Sequence, residues 1–148
     1  MPEQMRIGVS KHKHLVERAV MWLKRKRYPV ILPEFIAYTW NRENPDVIAF
    51  NSHHSVVIEC KTSRSDFLRD KKKPCKNLIY KGMGNYRYYL CPENIIQIDD
   101  VPKIWGLIWV VEKKFILRKQ APFIPWAEIC YKSEINTLVS KVRRNEVG

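Results

Sequence analysis

Asp46, Glu59 and Lys61 have the residue types and the spacing to do chemistry together. They lie in the stretch PDVIAFNSHHSVVIECK, residues 45–61, which reads as two short apolar strands around a polar turn. If Asn51 to His54 form a four-residue loop, Phe50 faces Ser55 and, counting back, Asp46 faces Glu59. Directly opposed residues of an antiparallel pair lie about 5 Å apart and project to one face. Alternation puts Lys61 on that face and Cys60 on the other. Two facing carboxylates repel unless something positive lies between them. A divalent cation and the Lys61 ammonium are the natural candidates. Asp46 and Glu59 can hold Mg²⁺ or Mn²⁺ through oxygen, with the backbone carbonyl of Cys60 as a further ligand. Such an ion polarises a phosphate and lowers the pKa of bound water. Lys61 can orient or deprotonate that water, or neutralise charge on the phosphate in the transition state. The bland alternative is a polar strand end with a Glu–Lys surface pair, since a lone E-x-K spacing is common by chance.

The surrounding elements must hold these groups. Residues 1–10 read as a loose leader. A helix follows from about His12 to Arg27, capped by Ser10, with Leu15, Ala19, Trp22 and Leu23 as its apolar stripe. Its basic end, Lys24 to Arg27, suits the helix dipole, and Tyr28-Pro29 stops it. Val30 to Trp40 is β-rich, and Pro33 points to an edge or bent strand. In the 46–61 hairpin, Ile48, Phe50 and Val57 share one face, and Val47, Ala49, Val56 and Ile58 share the other. Strands apolar on both faces are covered by helices on both sides. A second helix is expected from Ser65, with Asp66 in its first turn, ending before Pro74. A short helical piece over Asn77 to Lys81, a strand over Arg87 to Cys91 and a hairpin of Trp105 to Glu112 with Phe115 to Lys119 follow. After a linker near residue 120, Ala127 to Arg144 has helical spacing through Tyr131, Ile135, Leu138 and Val142. The expected fold is one α/β domain over residues 1–148: a mixed sheet flanked by helices, in the order α-β-β-β-α-β, then a hairpin and a helix.

The chain has 148 residues, enough for one core, and is 45% hydrophobic. Its 27 Lys and Arg against 15 Asp and Glu give a net charge of +12, which favours a polyanionic partner such as nucleic acid. No apolar signal region and no run of about 18 apolar residues is seen, so neither a signal peptide nor a membrane span is expected. Cysteines stand at 60, 75, 91 and 130, with no CxxC pair. Thiolate zinc ligation therefore has no support, and a reducing, cytoplasmic or nucleoid setting is expected.

Pro45-Asp46 followed by Glu59-Cys60-Lys61 resembles the signature of the PD-(D/E)XK nuclease superfamily. The run Thr62 to Lys71 is similar to the ExKxSxxDFxxDxK pattern of the MmcB-like DNA-repair branch. Tyr86 to Pro92 resembles that branch's aromatic strand, which ends in a proline. The likeness covers roughly residues 10–120 and implies a restriction-endonuclease-like core, Mg²⁺-dependent hydrolysis of DNA leaving a 5′-phosphate, and Asp46, Glu59 and Lys61 as catalytic residues. It also leaves a homodimer open, since many superfamily enzymes pair to cut both strands.

Several second-tier residues go with it. Glu17 on the first helix is a candidate extra metal ligand, because several groups of the superfamily use a glutamate there. Ser63 and Asp66 are candidates to order the site, or simply to stabilise the helix start. Lys71, Lys72, Lys73 and Lys76 could track a phosphate backbone or form a solvated charge run. Alternation puts Tyr86 and Tyr88 on one face of their strand and Arg87 and Tyr89 on the other, with Arg87 a candidate phosphate contact. His53 and His54 are expected as exposed turn residues far from the acids. Two other functions stay in view: a non-catalytic nucleic-acid-binding accessory module of the same fold, and an RNA-associated basic protein.

Overall fold

The computed structural model describes residues 7–34, 44–72 and 82–147. Among these, three α-helices flank a six-stranded mixed sheet. Helix α1 (Ile7–Arg25) precedes β1 (Val30–Pro33), β2 (Val47–Phe50) and β3 (Ser55–Cys60). Helix α2 (Arg64–Lys71) leads on to β4 (Tyr86–Pro92), β5 (Gly106–Val111), β6 (Lys114–Lys119) and helix α3 (Tyr131–Val147). The strands lie side by side in chain order. The β3–β4 and β4–β5 pairs are parallel and the other three antiparallel. The α/β class and the element order agree with the sequence reading.

The hairpin register is the expected one, with Phe50 opposite Ser55 and Val47 opposite Ile58. Its turn is set by Asn51, whose side-chain oxygen accepts from the amides of His53 and His54, each at 2.8 Å. Such local bonds let Asn replace backbone partners in a turn. The two faces also divide as expected. Val47, Ala49, Val56, Ile58 and Cys60 pack with Leu15, Val16, Ala19 and Leu23 of α1. Ile48, Phe50 and Val57 pack with Phe67 of α2, Tyr89, Trp105 and Trp109. β1 is an edge strand and Pro33 closes it, where its missing N–H costs no ladder bond.

Other expectations are corrected. Helix α1 begins at Ile7, so residues 7–10 are helical rather than part of a leader, and it ends at Arg25 rather than Arg27. Arg27 has φ +65°, outside the helical range. Helix α2 is capped by Ser63, two residues before the expected start. Helix α3 starts at Tyr131, after a 3₁₀ turn at Trp126–Glu128. Its periodic apolar residues Tyr131, Ile135 and Val142 are exposed, while Ser133, Glu134 and Thr137 are buried. Leu138 of the expected stripe is half-buried against the core, and the helix also docks through polar groups: Glu134 accepts from the Ser55 hydroxyl at 2.9 Å and the Gly84 amide at 2.7 Å. The helical piece expected over Asn77 to Lys81 lies outside the described residues.

Candidate active site

Asp46 immediately precedes β2, and one step beyond the Val47–Ile58 pair sets it level with Glu59. One oxygen of its carboxylate accepts from the Cys60 amide at 2.7 Å. The carboxylate thus closes the open end of the hairpin ladder. In a strand the N–H and C=O of one residue point to the same side. The Cys60 carbonyl therefore shares the side on which Asp46 sits. Glu59 is 5% exposed. Cys60 lies on the opposite face of β3, yet its thiol feels this cluster. Burial first, then the charges of Asp46 and Glu59, hold it well above the ordinary thiol range, and Lys61 acts the other way.

Lys61 follows β3, and its amide still bonds to the Leu90 carbonyl of β4, at 2.9 Å. Its ammonium lies 3.3 Å from Asp70 on α2, with both side chains buried. The Tyr89 hydroxyl donates to the other Asp70 oxygen at 3.2 Å. Tyr89 is itself fixed between Trp105, stacked at 4.2 Å, and the edge of Phe67, at 5.0 Å. The Asp70 carboxylate thus gives the buried Lys61 ammonium a defined position.

Helix α2 sets that geometry. The Ser63 hydroxyl accepts from the Asp66 amide at 3.2 Å, capping the helix, and Asp66 pairs with Arg69 at 3.7 Å. Phe67 and Asp70, three positions apart, share the buried side of the helix. Ser63 and Asp66 thus order the element that carries Asp70.

The second-tier residues disperse. Glu17 is exposed on α1, about 140° round the helix from His12. It is His12 that reaches the site, with its Nε2 3.4 Å from Asp46 and 3.1 Å from Glu34. Arg87, expected at a phosphate, is 2% exposed: its guanidinium stacks 4.5 Å over Trp105 and donates to the Met83 carbonyl. It sits inside the core because β4 is covered on that face. Lys71 donates to the Asp100 carbonyl at 2.9 Å, and Lys72 is exposed. Lys73 and Lys76 lie outside the described residues. His53 is exposed, but His54 is half-buried, against the rings of Tyr28 and Tyr86, and burial lowers its pKa.

Sequence reasoning saw Asp70 only as part of the run after the E-x-K strand, not as the partner of Lys61, and missed His12 beside Asp46. The signal for Asp70 was its helical spacing from Phe67. His12 carried none, because its reach depends on how α1 crosses the hairpin. Among the described residues, no group of three or more His, Cys, Asp or Glu side chains forms a metal cluster. An ion here would rest on two carboxylates and a carbonyl. Those are hard oxygen donors, as magnesium takes, and magnesium keeps several waters. In this respect the donor set fits. Among the described residues, no helix is long and apolar enough to cross a membrane.

No family model and no curated protein matches the sequence. A solved structure, the SPO1766 protein of unknown function from Silicibacter pomeroyi, is similar with a TM-score of 0.61. Its sequence is 20% identical, over 90% of this chain and 88% of that one. The likeness extends to the fold.

Proposed function

We propose that the protein is a metal-dependent nuclease that hydrolyses phosphodiester bonds in DNA, in repair, recombination or the processing of mobile DNA. The observation that carries this reading is the convergence at the end of one β-hairpin. Asp46 stands level with Glu59, and Lys61 is held in place by Asp70. Asp46, Glu59 and the Cys60 carbonyl would hold Mg²⁺ or Mn²⁺. The ion would supply Lewis acidity toward the phosphate and acidity to its bound water.

The chain's own groups do the rest. The ammonium of Lys61, aimed by Asp70 at 3.3 Å, offsets charge building up on the phosphate oxygens. The Asp46–Cys60 bond fixes one carboxylate before any ligand arrives, which lowers the cost of ordering the site. The net charge of +12 supplies sequence-independent attraction for a phosphate backbone. The resemblance of Pro45 to Lys71 to the PD-(D/E)XK signature supports the same chemistry.

The test is cleavage of labelled single-stranded, duplex and branched DNA, with RNA alongside, in Mg²⁺, Mn²⁺ or EDTA. The expected result is metal-dependent DNA cutting that is lost in Asp46→Asn, Glu59→Gln and Lys61→Ala while binding is largely kept. Metal-independent binding without cutting in every arm would replace this reading with that of an accessory module. A preference for RNA unaffected by Glu59→Gln would replace it with that of an RNA-associated protein.

A further inference from the structure

On the opposite face of the sheet from Glu59 and Lys61, under the C-terminal end of α1, lies a cavity of about 240 Å³. Trp22, Tyr28, His54, Tyr86 and Tyr88 supply its aromatic walls, and Lys26 and Gln120 its polar ones. The rings are braced against one another. Trp22 meets Tyr88 edge-on at 5.4 Å, and His54 meets Tyr86 at 5.0 Å. The Tyr28 hydroxyl lies 2.6 Å from His54 Nε2. Tyr88 leans across β5 because residue 106 is glycine: a Cβ there would lie 2.5 Å from the Tyr88 ring. Its hydroxyl accepts from the Gln120 amide at 2.7 Å.

The chemistry of this lining narrows its ligand. Burial raises the Tyr28 pKa to about 12 and also raises that of Tyr88, while it lowers that of His54. These rings are therefore neutral near pH 7, which suits a flat, uncharged ring system with hydrogen-bonding edges. The volume falls below the roughly 300–1,000 Å³ of drug-sized pockets, so one ring system fits rather than several. Lys26 stands over the Trp22 ring at 5.4 Å, and Lys24, Arg25 and Arg27 are exposed beside it. That local charge repels a cationic guest and attracts an anionic group attached to the ring.

We infer that this cavity binds a single unstacked nucleotide, with its base among Trp22, Tyr28 and Tyr88 and its phosphate at Lys26. The nucleotide comes either free or as an unpaired residue of a strand. Stacking on aromatic side chains is worth about 1–3 kcal/mol per base and tolerates any base. The cavity opens beside Val56, three residues along β3 from Glu59 and across the sheet, so it is separate from the proposed cleavage site. It does not depend on that site being catalytic.

The test uses 2-aminopurine, whose fluorescence falls on stacking, in EDTA so that no cutting can occur. The arms are 2-aminopurine mononucleotide, a duplex with one unpaired 2-aminopurine, and the same duplex fully paired. Quenching of the mononucleotide identifies a free nucleotide as a ligand. Quenching only of the unpaired duplex identifies a strand. In either case Lys26→Ala and Gln120→Ala, both surface changes that should leave the fold intact, weaken binding. Trp22→Ala weakens it about tenfold. Leu68→Ala on α2 leaves it unchanged. No quenching in any arm, equal quenching of the paired duplex, or binding insensitive to Lys26→Ala and to a folded Trp22→Ala variant overturns the inference. Loss of cleavage in the earlier assay has no bearing on these arms.

Discussion

Strand β3 buries polar groups at both ends. At its start, Ser55 lies among donors and acceptors that satisfy one another. Its amide donates to the Asn85 side chain at 2.9 Å, its hydroxyl to Glu134, and Asn85 in turn reaches the Ile124 carbonyl at 2.8 Å. Glu134 accepts from the Ser55 hydroxyl and the Gly84 amide. At its far end the same strand runs into buried Glu59 and Lys61, where Lys61 meets Asp70 and the Cys60 amide donates to Asp46. The first arrangement ties α3 to the sheet. The second brings charged groups of both signs together, with the Lys61 ammonium 3.3 Å from Asp70 and His12 Nε2 3.4 Å from Asp46. That contrast separates polarity that docks a helix from the charged cluster on which the proposed function rests.

The largest expected effect that would sharpen the contrast is on activity at the far end. Glu59→Gln should lower DNA cleavage about 10³-fold while the Tm stays within a few degrees. A large fall in Tm would instead make Glu59 a structural residue. Next in size is Asp70→Asn, which removes the carboxylate 3.3 Å from the buried Lys61 ammonium. Urea unfolding should show a loss of about 3 kcal/mol, and adding Lys61→Met should restore most of it. Failure of that double variant to recover would mean the pair is not what the stability depends on. At the near end, Glu134→Ala should cost about 2 kcal/mol by stranding the Ser55 and Gly84 donors, with the cleavage rate per folded molecule unchanged. Gly84→Ala should cost about 1–2 kcal/mol, because residue 84 has φ +92° and a Cβ would meet the Val57 side chain at 2.9 Å.

The smallest effect is on pH. The folded-state pKa of His54 lies below its ordinary 6.5, chiefly through burial, so the unfolded chain binds the proton more readily. Stability from this residue is complete above that value and is lost as pH falls through the interval below it. His54→Gln should flatten the fall of Tm in that interval. An unchanged slope would assign the effect to other groups.

Much of the sheet was legible because alternation leaves little freedom. Once Phe50 is set opposite Ser55, the faces of the strand residues of the hairpin follow, and alternation within β4 separates Arg87 and Tyr89 from Tyr86 and Tyr88. Asp46 beside Glu59 was legible for the same reason. What was not legible depends on how helices sit on the sheet. The apolar spacing of α3 is real, yet beside Leu138 the helix presents Glu134 and Thr137 inward, where Glu134 meets the Ser55 and Gly84 donors. The partnership of Lys61 with Asp70 needed the angle of α2. His12, and not Glu17, reaches Asp46 for the same kind of reason. Arg87 was placed on the correct face, but whether that face was open to solvent depended on Met83 and Trp105.

The strands lie in chain order, and Asp46, Glu59, Lys61 and Asp70 all fall on one hairpin and the helix after it. Their contacts close short loops, which form early in folding relative to long-range pairings. The hypothesis that follows is that the acidic hairpin takes shape before β5, β6 and α3 settle. In pulsed hydrogen exchange during refolding, the Cys60 amide, sealed by Asp46, should then gain protection ahead of the Gly84 amide, which waits for Glu134. The reverse order would mean that the chain organises itself from its C-terminal half instead.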